Sequence, residues 1–191
     1  MSERIMEYGQ NLRKPGGIPP WEALPDIGLY MDQVITFLER MLGTYDSVTP
    51  SMVNNYVKAG LLPRASGKKY GPEHLAILLV AFTLKRVLSM QDIKLMMGNL
   101  GEAEAVRNFY EEFRANAART ALEMEGVAAK ENELRTQGVE ASLLALRLAI
   151  EAGARSRLAE TILYAAQPSP GVDASPKGAS RRRKKNLPGK S

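Results

Sequence analysis

The 191-residue chain has no cysteine, one histidine, 45% hydrophobic residues and a formal net charge of +5. No apolar run reaches the roughly 18 residues a membrane span needs, and the opening MSERIMEYGQNLRK has no apolar signal core, so a cytoplasmic protein without membrane attachment is expected. With so few sulfur and imidazole ligands, zinc clusters, thiol nucleophiles and histidine triads are excluded; no metal, no cofactor and no enzymatic activity are expected.

In chain order, residues 1–25 mix polar residues with KPGG and IPPWEALP and are expected to form an arm without regular structure. Trp21, flanked by prolines, is the candidate anchor that packs this arm onto the domain. Asp26 is placed to cap a core helix through IGLYMDQVITFLERML. There Ile27, Tyr30, Met31, Val34, Phe37, Leu38 and Met41 recur at steps of three and four, and Gly43 stops it.

The next stretch, TPSMVNNYVKAGLLP, starts with a hydroxyl cap at Thr49 and a proline at the first helical position, and Gly60 supplies its left-handed stop. Met52 or Val53, Tyr56 and Val57 form its buried stripe, leaving Ser51, Asn54, Asn55 and Lys58 outside. LLPRASGKKYG then makes a turn or tiny hairpin, with Tyr70 tacking it down.

A proline-initiated helix, PEHLAILLVAFTLKRVL, follows and is expected to be largely buried through Leu75, Leu78, Leu79, Phe82 and Leu84. His74 reads as a capping or packing residue rather than a catalytic one. Ser89 with Asp92 resembles a capping box opening a short helix.

From about Glu102 a long helix places Val106, Tyr110, Phe113, Ala117, Thr120, Met124 and Val127 on a weak heptad seam. Gly138 separates it from a second helix whose run Ala141 to Ile150 is apolar nearly all round, as suits a bundle core or a dimer interface. After Gln167, the Pro, Gly, Ser and basic residues have almost nothing to bury and are expected to be disordered.

The resulting division is an arm (1–25), a helix-turn-helix domain (26–100), a helical region for dimerisation or partner binding (101–167) and a basic tail (168–191). The tail holds seven basic residues and no acid from Lys177 onward, which leaves 19 basic against 21 acidic residues before it. Within that body, residues 45–100 carry seven basic side chains against three acids. An anionic partner is therefore sought first in this middle segment. The eight glutamates of 102–135 are interleaved with basic residues, as on a solvated helix face.

The order TPSMVNNYVKAGLLP, then RASGKKYGPEHL, then LSMQDIKLM resembles the DNA-binding half of MerR-type regulators. The matching features are Tyr56 four residues before Gly60, Leu61 and Leu62, a basic wing ending at Tyr70, and a last helix opening at Ser89. The segment IPPWEALPDIGLYMDQVITFLE resembles a bacterial family of uncharacterised proteins carrying such a domain.

The resemblance implies an all-α fold with a MerR-like winged helix-turn-helix, and a transcriptional regulator that binds double-stranded DNA as a homodimer. It names no small-molecule effector. The DNA-contacting set is Thr49, Ser51, Met52, Asn54, Asn55, Lys58, Arg64, Lys68, Lys69 and Tyr70. Lysines and arginine would neutralise phosphates while Ser51, Asn54 and Asn55 read base edges. Ser51 and Asn54 stand where MerR-type proteins usually present arginines, which shifts base preference away from guanine.

Two other readings stay open at this point. The polar residues of 51–58 can be only the wet side of an amphipathic helix, and the chain can be a protein-binding adaptor that uses the helix-turn-helix as a scaffold. An RNA-binding role through the tail is less favoured, because few aromatics interleave with the basic run. The tail itself serves either non-specific DNA affinity or solubility.

Overall fold

The computed structural model describes residues 18–43, 47–98, 100 and 102–167. The first part of the expected arm and the basic tail lie outside the described residues. Among the described residues the fold is all-helical. A 3-10 turn at Trp21–Ala23 precedes α1 (Met31–Leu42), α2 (Pro50–Lys58), α3 (Pro72–Leu84), α4 (Met90–Met97), α5 (Ala103–Thr136) and α6 (Ala141–Ala165).

α3 is the centre of the fold. Eight consecutive residues, Leu75 to Phe82, are buried, so the helix is enclosed on every side rather than along one stripe. α5, α1 and α4 pack around it. Pro72 occupies the first helical turn, where its missing N–H costs nothing.

α1 begins later than its apolar spacing predicts. Asp26 does not cap it; the helix starts at Met31, with the Tyr30 backbone N–H donating to Gln33 Oε1 at 2.9 Å. Ile27 and Tyr30 are exposed. The reason lies in a distant strand-like segment: Leu29 and Tyr70 exchange backbone hydrogen bonds at 2.9 Å in both directions, which holds residues 28–30 extended. Such a pairing leaves no mark in a local pattern.

α2 matches its sequence signals. Thr49 Oγ1 accepts from the Met52 N–H at 3.3 Å, and Pro50 opens the helix. Gly60, at φ 68°, ends it. Its N–H donates to the Val57 carbonyl and that of Leu61 to Tyr56, the paired bonds of a Schellman ending. The ring of Tyr56 meets Phe82 edge-on at 5.4 Å between centroids, which fastens α2 to α3.

The core runs past both expected domain boundaries, at 25 and at 100. Trp21, Leu24, Val106, Tyr110 and Phe113 all belong to the cluster around α3. Trp21 lies edge-on to Tyr110 at 6.2 Å and donates its backbone N–H to Glu111 at 2.9 Å, while Tyr110 Oη donates to the Pro19 carbonyl at 2.7 Å. Burial raises the Tyr110 pKa, so the phenol keeps its proton to donate. The first turns of α5 thus pack into the same core as the helices before them.

Of the expected seam on α5, Val106 and Tyr110 enter the core, Ala117, Met124 and Val127 stay half-buried, and Thr120 is exposed. α5 ends at Thr136, and α6 turns back and is held at both ends. Near its start, Leu144 is buried and Arg147 pairs with the buried Glu131. Near its end, Tyr164 Oη donates to Asp92 Oδ1 at 2.6 Å, and Ser156 Oγ donates to the Val87 carbonyl at 2.8 Å. Of the two expectations for 141–150, burial in a bundle within one chain does not hold: Leu143, Leu146 and Ile150 are 57%, 57% and 61% exposed.

This distribution predicts opposite outcomes for two leucines. Leu78→Ala, at a site with no exposed surface, should lower the unfolding free energy by about 2–5 kcal/mol. Leu143→Ala should change it by less than about 0.5 kcal/mol in the same urea titration.

Candidate nucleic-acid interface

α2 divides its residues between two environments. Val53 and Tyr56 are buried, and Met52 and Val57 are half-buried against the core. Ser51, Asn54, Asn55 and Lys58 are exposed, on the side turned away from α3. Among the described residues no later helix covers Ser51 or Asn54. Thr49 is exposed, with its hydroxyl oxygen committed to capping.

The C-terminal end of α2 is held from outside the helix. Lys94 of α4 donates from Nζ to the Ala59 carbonyl at 2.8 Å. It thereby satisfies an orphan carbonyl and puts a cation at the negative end of the helix dipole. A Cβ on Gly60 would stand 3.1 Å from that ammonium, so the glycine serves both the left-handed backbone and the approach of Lys94. Local sequence gives no sign of this contact, which spans 35 positions.

From α2 the chain passes through buried Leu61 and Leu62 into a tight hairpin. Ser66 and Lys69 form an isolated antiparallel bridge, with the Lys69 N–H donating to the Ser66 carbonyl at 2.9 Å. Gly67 and Lys68 at its tip have φ of 56° and 66°. Both are left-handed, as a type I′ turn requires. Lysine is a costly choice there, because asparagine or glycine adopts that conformation with less strain. What it achieves is an exposed ammonium at the tip of the hairpin.

The base of the hairpin is anchored. Tyr70 is buried and bonded to Leu29 through the backbone, and its ring meets His74 edge-on at 5.5 Å. Tyr70 therefore orients the hairpin and does not present its ring to a ligand. A Cβ on Gly28 would lie 2.8 Å from Lys69 Cβ, so only glycine lets the hairpin close onto this segment. Lys69 lies along it with Nζ 5.4 Å from the centre of the exposed Tyr30 ring, while Arg64 is exposed.

His74 is the cap of α3. Its Nδ1 accepts from the Gly71 N–H at 3.1 Å, and its Nε2 is buried without a hydrogen-bond partner. Burial lowers its pKa; the Arg64 backbone and the Glu73 carboxylate pull less strongly the other way. Burial thus favours the neutral ring where it joins the hairpin to α3. On α4, Asp92 accepts from Ser89 and from Tyr164, and both bonds hold its carboxyl below the usual range.

Among the described residues no group of three or more His, Cys, Asp or Glu is placed to hold a metal, and no helix is long and apolar enough to cross a membrane. In comparisons with known proteins, residues 19–113 match a family described as a domain of unknown function (DUF1836). That match ends at the last core residue of α5, Phe113, and starts just before Trp21. No curated protein and no solved structure matches the chain.

The His74 geometry sets a pH dependence. The folded-state pKa lies below the ordinary 6.5, so the unfolded chain takes up the proton first as pH falls. This contribution to stability is complete above pH 6.5 and is lost as pH drops toward the lowered folded value. Urea unfolding across that window should show stability falling with acidity, and His74→Gln should reduce the slope.

Proposed function

We propose that the chain is a transcriptional regulator that binds double-stranded DNA sequence-specifically. In this proposal α1 and α2 form a MerR-like helix-turn-helix and residues 63–70 are its wing. α2 enters the major groove, with Ser51, Asn54 and Asn55 against base edges and Lys58 toward the backbone. Lys68, with Arg64 and Lys69, neutralises phosphates beside it.

The observation that carries this proposal is the exposed polar face of α2 beside a hairpin whose tip accepts conformational strain to display Lys68. Functional sites are where such strain is retained. Asparagine side chains suit adenine, because one amide donates and accepts together. The exposed face lacks arginine, so guanine-rich sites are disfavoured. Binding as a homodimer, each copy engaging one half-site, would supply the affinity a single short helix lacks.

An adaptor role is the alternative, favoured by the exposed apolar side chains of α6. In that case DNA affinity would reside in the basic tail alone.

Binding by the full-length chain separates the two. Replacing Arg181 through Lys185 by serine should lower affinity for random DNA yet leave preference for a selected site; loss of all binding favours the adaptor. Asn54→Ala should cost about 1–3 kcal/mol on the selected site and little on random fragments. Equal losses on both would reject base reading. Lys68→Asn should keep or slightly raise stability, since asparagine tolerates the left-handed turn, while lowering the salt slope of binding by about one.

A further inference from the structure

α6 is packed along one side only. Leu144, Leu148, Ser156, Glu160 and Leu163 lie toward the body of the protein, buried or half-buried. The opposite side carries Leu146, Ile150, Ala154, Leu158 and Ile162, all exposed, with the four large side chains between 57% and 61% accessible. These five positions form one i, i+4 row. Each step advances about 40° around the helix, so the row crosses the outer face obliquely.

The row is symmetric about Ala154. Ile150 and Leu158 stand four residues to either side, Leu146 and Ile162 eight. Reversing the chain direction leaves the apolar pattern unchanged, so the row is able to meet its own copy across a twofold axis. Ala154 lies at the centre, where crossing helices come closest, and the larger branched side chains fill the widening space beyond. Rows of this kind set side by side give the commonest helix crossing, near −50°.

We propose that the outer face of α6 is the seam of a symmetric homodimer, with two α6 helices crossing antiparallel at Ala154. Ile150 then lies beside Leu158 of the second copy, with Leu146 and Ile162 at the edges of the contact. On the flank, Glu151 comes beside Arg155 of the second copy, twice by symmetry; neither makes an ion pair among the described residues. Its four large side chains are each more than half exposed, and unpartnered apolar surface of this kind marks interfaces. α5 is a poorer seam, because its outer face is mostly Ala115, Ala118, Gly126 and Ala129 around a single exposed Leu122.

This seam locates the dimer within the DNA-binding proposal, but oligomeric state is measured without DNA, so each proposal can fail alone. Light scattering on the full-length chain should give twice 21.0 kDa at micromolar concentration. Ala154→Arg should give the single-chain mass with unchanged helical circular dichroism. If that variant unfolds, Ile150→Gln with Leu158→Gln tests the same face and should also be monomeric. Because the chain has no cysteine, Ala154→Cys should form a disulfide-linked dimer on oxidation, since two such residues at the crossing fall within the ~7 Å Cα reach of the bond. Leu122→Cys should not. A single-chain mass for the unaltered protein, an undisturbed dimer in the folded variants, or cross-linking through position 122 instead of 154 would overturn the proposal.

Discussion

The structure depends on burying one helix completely. α3 has eight consecutive residues with almost no exposed surface, and no single partner can cover a helix that is apolar on all sides. α1, α4 and the first turns of α5 pack against it, and the segment around Trp21 and Leu24 joins the same core through α5. That requirement explains why the arm packs onto the domain through Trp21, as expected, and why the start of the long helix shares the same core.

The same helix fixes the candidate interface. α2 is short, and isolated helices of nine residues are marginal in water. Its position is set by Tyr56 against Phe82 and by Lys94 closing its last turn. The hairpin that follows is set by Tyr70, held between Leu29 and His74. The polar face of α2 and the tip at Lys68 are therefore presented by a rigid base, although neither makes a core contact itself. Precise presentation of that kind is what reading base edges would require.

A contiguous line of contacts joins this base to the C-terminal helices. Tyr164 of α6 bonds Asp92, which caps α4 together with Ser89, and α4 carries Lys94 to the end of α2. Each contact is a satisfied polar pair, so displacement of α6 would leave Asp92 one partner short. The outer side of α6 remains uncovered within one chain, and that is the place where a second protein surface has most apolar area to gain.

Local chemistry was enough to read several features from residues alone. The Thr49, Pro50 and Gly60 boundaries of α2, the Ser89 and Asp92 capping box, the burial of α3 and the outward set Ser51, Asn54, Asn55 and Lys58 all follow from signals within a few residues of where they act. Tertiary structure alone decided the rest. α1 starts at Met31 because Leu29 pairs with Tyr70, Tyr70 faces inward because the hairpin needs an anchor, and Lys94 reaches a carbonyl 35 positions away. The apolar run of α6 shows the limit most plainly. Composition marks it as a surface to be buried, but which side stays open depends on where Leu144, Ser156 and Tyr164 find partners, and those are set by packing between elements distant in sequence.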